Sequence, residues 1–262
     1  MTILFQKYQG TGNDFIMIDQ REKKMIDHEN IELISFLCDR RFGIGSDGLI
    51  LLEKSDNYDF RMVYFNADGR QSSMCGNGGR CLIQFAYTLG IFEKNTTFEA
   101  VDGLHEGQIN QDSTISLQMS YTNKIKTINN NTYELNTGSP HYVTFCKNLP
   151  SDIKTEGAKI RYSDEYALQG INVNFVQKDD NLIHVATYER GVEDETYSCG
   201  TGVTAAAIGY AVQNDMKGEI TISVKTKGGP LSVSFVRIND FDFNQIWLTG
   251  PAVFVFKGEI EI

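Results

Sequence analysis

The sequence predicts an α+β protein of two pseudo-symmetric domains, each a mixed or antiparallel curved β-sheet wrapped around a central helix. Three observations carry that expectation. The tetrad Cys-Gly-x-Gly occurs twice, at Cys75 and at Cys199, each time 11 residues after a tyrosine, Tyr64 or Tyr188. A helical pattern follows each tetrad, and the runs flanking it are rich in β-branched and aromatic residues, as strands are. A chain of 262 residues is long enough to bury two cores.

The duplication extends outward from the two cysteines. Thr11-Gly12-Asn13-Asp14-Phe15 precedes the first cysteine and Thr137-Gly138-Ser139-Pro140-His141 the second, Asn13 by 62 residues and Ser139 by 60. A strand-like run follows each, Phe15 to Ile18 and Tyr142 to Phe145. Turns at Asp102-Gly103 and Gly228-Gly229 follow the cysteines by 27 and 29 residues.

Within the first copy, Leu82, Phe85, Ala86 and Leu89 repeat at helical spacing, and Gly90 stands where a helix often ends. In the second, Val203 to Val212 is apolar almost all round, which predicts a helix buried on every side. Strands are expected at Phe60 to Phe65, Thr114 to Met119, Leu182 to Tyr188, Ile220 to Val224, Leu231 to Val236 and Ala252 to Phe256. The polar Asn129-Asn130-Asn131 stretch suggests a linker near residues 120 to 132, dividing the chain into domains 1–122 and 123–250.

Composition narrows the function. A net charge of −10 opposes nonspecific attraction to nucleic acid or anionic lipid, and no apolar stretch approaches membrane-helix length. The opening Met-Thr-Ile-Leu-Phe-Gln-Lys-Tyr lacks the pattern of a secretory leader, so a cytoplasmic protein is expected. Five cysteines without such a leader read as thiols, and their spacing with the four histidines matches no zinc pattern, so no metal is expected. Cys38, Cys81 and Cys146 fit core positions, and His28, His105 and His184 fit structural ones.

Cys75 and Cys199 differ from the other three. A thiol immediately before a helix meets free backbone N–H groups and the positive end of the helix dipole, which favour the thiolate. The same amides can hold a carboxylate, and glycines let a ligand approach the backbone. If two such domains face one another, both thiols can reach one substrate. One thiolate then removes an α-proton while the other thiol protonates the opposite face, which inverts the stereocentre with a matched acid/base pair. A thiol redox switch and a carboxylate-binding protein without catalysis are the alternatives from other classes.

Nine motifs in order resemble diaminopimelate epimerases. They are Thr-Gly-Asn-Asp-Phe (11–15), Arg-Arg-Phe-Gly-Ile-Gly-Ser-Asp-Gly (40–48), Tyr-Phe-Asn-Ala-Asp-Gly (64–69), Met-Cys-Gly-Asn-Gly-Gly-Arg-Cys (74–81) and Pro-His (140–141), then Asn-Val-Asn-Phe-Val (172–176), Tyr-Glu-Arg-Gly (188–191), Cys-Gly-Thr-Gly (199–202) and Thr-Gly-Pro-Ala (249–252). The resemblance implies interconversion of LL- and meso-diaminopimelate, for lysine and peptidoglycan-precursor synthesis, with no cofactor and no metal.

Carried onto this chain, the resemblance makes Cys75 and Cys199 the acid/base pair. Gly76, Asn77, Gly200 and Thr201 bind the reacting carboxylate through their amides. Asn13, Asn66, Asn172, Glu189 and Arg190 hold the rest of the substrate, and His141 and Glu189 tune the thiols. It also returns residues 251–262 to the first domain, and leaves a homodimer open. Ser139 stands where the family usually has asparagine.

Proline and hydroxyproline racemases resemble the chain in fold and paired cysteines. They typically carry His where this chain has Asn77, and a different segment before the second cysteine. A phenazine-type isomerase relative is disfavoured by the presence of both thiols.

Overall fold

The structure, a computed structural model, describes residues 2–122, 124–180 and 182–262. Two compact units divide it, one running through Leu117 and including Pro251–Ile262, the other comprising Gln118–Gly250.

The first unit begins with a hairpin of β1 (Thr2–Gly10) and β2 (Asn13–Asp19), turned by Thr11 and Gly12 at positive φ. Helix α1 (Ile31–Cys38) connects β2 to β3 (Gly48–Glu53), which lies parallel to it. β4 (Phe60–Asn66) returns antiparallel and is joined through the short β5 (Gln71–Ser72) to helix α2 (Gly76–Thr88). After α2, β6 (Asn95–Ala100) pairs parallel with β4, and β7 (Gly103–Ile109) and β8 (Ile115–Gln118) complete a meander.

α2 packs on β1, β2, β3 and β7, and close backbone approach depends on glycine. A Cβ on Gly107 would stand 2.3 Å from Ile83 Cδ1, and one on Gly78 would stand 2.9 Å from Ile50 Cδ1. On the opposite face Ile34 and Leu37 of α1 join Ile16, Ile18, Leu49 and Leu51 in a second core layer. β3 is thus buried on both faces, so its sequence Gly-Leu-Ile-Leu-Leu-Glu carries no alternation to announce a strand.

The second unit repeats this plan. Its strands are β9 (Ile125–Asn129), β10 (Thr132–Asn136), β11 (Pro140–Cys146), β12 (Asn172–Asp179), β13 (Leu182–Glu189), β14 (Asp194–Thr196), β15 (Gly218–Thr226), β16 (Gly229–Arg237) and β17 (Phe243–Gly250). Helix α3 (Ile153–Arg161) connects the parallel pair β11 and β12, as α1 connects β2 and β3. Helix α4 (Gly200–Gln213) follows β14, as α2 follows β5. Val203, Ala205, Ala206, Ala207, Ile208 and Ala211 are fully buried on different sides of α4, which accounts for its all-round apolar sequence.

Two expectations are corrected. The asparagine-rich stretch near residues 120 to 132 is no linker, because β9 and β10 form a hairpin there with its turn at 130–131. The units divide at 117/118 rather than at 122/123. Met119 N–H donates to Ile246 O and Thr122 pairs with Phe243, tying this segment to β17. At the other end β18 (Val253–Glu261) lies antiparallel to β1.

The tightness of the α4 core gives a direct test. Ala206→Leu is expected to lower stability by about 1–3 kcal/mol through overpacking, read as a lower urea midpoint at unchanged m-value.

Candidate active site

Each cysteine occupies the N-cap of its unit's central helix. Cys75 (φ −99, ψ 129) and Cys199 (φ −113, ψ 111) are both extended, and neither helix start has a side-chain cap. The intrahelical ladders open with Gly79 N–H to Cys75 O at 2.7 Å and Val203 N–H to Cys199 O at 2.8 Å. The amides of Gly76, Asn77 and Gly78, and of Gly200, Thr201 and Gly202, therefore lie ahead of the first ladder bond. Such a turn attracts an anion, whether a thiolate or a carboxylate.

In the first unit Asn13 is fixed from behind. Its Nδ2 donates to Asp47 Oδ2 at 2.6 Å, so its Oδ1 faces Cys75 Sγ at 3.7 Å and Asn77 Nδ2 at 3.4 Å. Asp47 is itself held by Arg40, which also binds Asp14 through two nitrogens at 2.7 and 3.0 Å. Lys7 reaches Asp14 at 2.8 Å, and these two cations hold the Asp14 carboxyl far below its usual range, against the opposing effect of burial. The sequence shows Arg40, Asp14 and Asp47 only as members of motifs; the contacts that join them are made by the fold. Asn66 is not drawn in: it ends β4, exposed, and its carbonyl accepts Gly69 N–H in a turn.

The second unit uses neutral groups instead. Thr201 Oγ1 lies 3.5 Å from Cys199 Sγ, and Thr137 Oγ1 donates to Thr201 O at 2.8 Å. Asn172 donates to Ser139 Oγ at 2.6 Å and Pro140 O at 3.0 Å, and accepts Arg190 N–H at 2.9 Å. Its amide is thus committed to positioning Ser139 and Arg190. Arg190 is exposed, with one guanidinium nitrogen on Gln169 O at 2.9 Å and no carboxylate paired with it among the described residues. Glu189, half-buried, ends β13 opposite Asp194.

His141 is fully buried on β11. Asn174 Nδ2 donates to its Nδ1 at 3.1 Å, which places the ring proton on Nε2; that atom has no partner among the described residues. Asn174 is oriented in turn by Thr187, whose hydroxyl donates to Oδ1 at 2.9 Å. Burial, with a smaller contribution from Arg190, lowers the His141 pKa to about 3, so the ring is neutral.

The glycines correct one further expectation. A Cβ on Gly202 would lie 2.3 Å from Asn174 Oδ1, and Gly78 abuts Ile50 and Phe15. The second glycine of each tetrad therefore seats the helix on its sheet rather than opening room for a ligand. Cys81 is buried, and desolvation pushes its thiol up to about 12, as expected of a core cysteine.

His141 generates a pH prediction. Its folded pKa lies below the unfolded value near 6.5, so only the unfolded chain binds this proton between the two. Its contribution to stability is intact above pH 6.5 and falls as pH drops towards 3, by ~1.4 kcal/mol per pH unit. Urea midpoints between pH 7 and 4 are expected to fall less in His141→Phe than in the parent, because phenylalanine takes up no proton.

With this geometry established, comparison with known proteins places the chain. The diaminopimelate epimerase profile matches residues 5–125 and 133–255. Diaminopimelate epimerase from Flavobacterium psychrophilum is 56% identical, over 97% of this chain and 98% of its own length. The enzyme of that name from Chlorobaculum tepidum is 41% identical, over 97% and 99%. Among solved structures, a phenazine biosynthesis protein of the PhzF family from Bacillus anthracis shares the fold with a TM-score of 0.77 at 17% identity, over 100% of both chains. A probable proline racemase from Agrobacterium radiobacter K84 shares it at 0.72 and 14%, over 99% of this chain and 93% of that one. Matched along nearly its whole length, the chain belongs to the diaminopimelate epimerase family.

Proposed function

We propose that the protein is an isomerase that interconverts LL- and meso-diaminopimelate with Cys75 and Cys199 as the two bases. The observation that carries this reading is the twofold occurrence of a thiol at the uncapped start of a central helix. One thiolate accepts the α-proton and becomes a thiol. The electron pair left on the α-carbon delocalises into the adjacent carboxylate, and the second thiol then delivers its proton to the opposite face, ending as thiolate. Charge developing on that carboxylate is met by first-turn amides, those of Gly76, Asn77, Gly200 and Thr201, which need no reorganisation to receive it.

Arg190 suits the distal end of the substrate, because a guanidinium with no carboxylate of its own can grip one through two parallel hydrogen bonds. Asn13 orients Cys75 and Asn172 presents Arg190; the family resemblance adds Glu189 and Asn66, the latter lying outside the network around Cys75 but exposed at the end of β4, where a ligand can reach it. His141, neutral in this protein, acts on the thiols as a dipole rather than as a charge. No described helix is long and apolar enough to cross a membrane. The small-molecule reaction fits a cytoplasmic enzyme of lysine and peptidoglycan-precursor synthesis.

Incubation of reduced protein with LL-diaminopimelate in D2O is expected to give the meso isomer with deuterium at the α-carbon, and no exchange of L-proline. Exchange with proline alone would move the protein to the racemase class. Cys75→Ala and Cys199→Ala are each expected to cut turnover by about 10²-fold or more while keeping the parent's circular dichroism. Arg190→Ala should raise KM by about 10- to 100-fold with a smaller change in kcat, as loss of a charge-assisted bond to a non-reacting group does.

A further inference from the structure

Arg190 lies in the turn between β13 and β14, the counterpart of the turn between β4 and β5 in the first unit. Gly69 stands five residues after Tyr64, and Glu193 stands five after Tyr188. Both take positive φ, 84° and 59°. Glycine adopts that region freely, whereas a residue with a β-carbon rarely does. In each unit the N–H of this residue closes the turn, Gly69 on Asn66 O at 2.9 Å and Glu193 on Glu189 O at 2.8 Å.

The Glu193 side chain accounts for the exception. Its Oε1 accepts Gly191 N–H at 3.0 Å, and its Oε2 accepts the hydroxyls of Tyr188 at 2.8 Å and Tyr162 at 2.9 Å. Arg161 Nε lies 3.7 Å from Oε1, an ion-pair separation. All four partners present a proton, which suits an ionised carboxylate. Burial acts against the charge, but the bonds from Gly191, Tyr188 and Tyr162 and the charge of Arg161 hold the carboxyl below its usual value. Burial, and then this carboxylate, raise the Tyr188 pKa, so the phenol keeps the proton it donates. One half-buried side chain thus ties the turn to β13 and to the end of α3.

Two routes lead from this carboxylate to Arg190. Gly191 N–H belongs to the peptide that follows Arg190, while the N–H of Arg190 itself is held by Asn172 Oδ1 at 2.9 Å. The Arg190 backbone is therefore fixed on both sides. The second route runs through Arg161, whose Nη1 donates to Tyr166 O and Ala167 O, both at 3.3 Å. Two residues further on, Gln169 O accepts the Arg190 guanidinium at 2.9 Å. A Cβ on Gly170 would stand 2.6 Å from Arg190 Cδ and 2.8 Å from Arg161 Cζ, so both arginines lie against this one glycine.

From these contacts we infer that Glu193 is a positioning residue that sets the Arg190 guanidinium for the distal end of the substrate, through the turn and through Arg161. The inference rests on the reading of Arg190 given above. It also explains why a glutamate occupies a backbone position that its counterpart fills with glycine.

The test is a double-mutant cycle on KM and kcat for LL-diaminopimelate, with Glu193→Ala, Arg190→Ala and the double variant. Glu193→Ala is expected to raise KM by about 3- to 30-fold with a much smaller change in kcat. Added to Arg190→Ala, it should change KM by less than about 2-fold, because the side chain it positions is gone. Glu193→Gln, which keeps one acceptor oxygen, should recover part of the loss.

An unchanged KM in folded Glu193→Ala would overturn the inference. So would effects that multiply in the double variant, since they would make Glu193 a structural residue independent of Arg190. If Glu193→Ala does not fold, Tyr162→Phe removes one donor from an exposed ring and is judged by the same cycle, with an expected rise of about 2- to 3-fold in KM. Absence of that rise, or its persistence without Arg190, overturns the inference equally. Failure of the Arg190 reading is seen separately, as an unchanged KM in the Arg190→Ala single variant, and it removes the object that Glu193 would position.

Discussion

The uncapped first turn of a buried helix is the constraint on which both units depend. A helix start leaves backbone N–H groups without intrahelical partners, and proteins normally satisfy them with a Ser, Thr, Asp or Asn side chain. α1 and α3 follow that rule: Asn30 and Asp152 accept the amides of Leu33 and Thr155. α2 and α4 depart from it, each preceded by an extended cysteine that makes no cap bond. The two helices with conventional caps lie outside the duplicated thiol motif, and the two without them carry it.

The duplicated fold is wired differently in its two copies. Around Cys75 the positioning groups are ionic: Lys7 and Arg40 fix Asp14, Arg40 fixes Asp47, and Asp47 turns Asn13 towards the sulfur. Around Cys199 they are dipolar: Asn172 holds Ser139, while Thr187 orients Asn174 against His141. Equal topology thus supports unequal electrostatics.

The duplication made the helices and cysteines readable, because spacing around a thiol is a one-dimensional property. β12 and β3 were harder to read, as strands buried on both faces lose the period-two alternation that marks a sheet surface. The β9–β10 hairpin was hidden by asparagines that read as a linker and proved to be its turn. The positioning side chains escaped for another reason. Asp47 acts on a residue 34 positions away and Asn174 on one 33 away, contacts that only the folded sheet creates. Arg80 did leave a signal, a charge directly after a run of glycine and asparagine, but its burial is a property of the fold.

Cysteine at the N-cap resolves a conflict between stability and chemistry. A serine there would donate and accept readily, and its oxygen would occupy the amides that the reaction needs, stabilising the helix by about 0.5–2 kcal/mol. Sulfur is a weak acceptor, so a neutral thiol leaves those amides available, while a thiolate is stabilised by them. An ionised thiol or an arriving carboxylate can therefore take the place of the missing side-chain cap. The stability forgone at each start is offset by packing further along: Leu82, Ile83 and Ala86 of α2 and six residues of α4 are fully removed from water. Placing the apolar burial in the body of the helix and leaving its first turn without a side-chain cap lets one element be the core of its unit and still present backbone amides at its start.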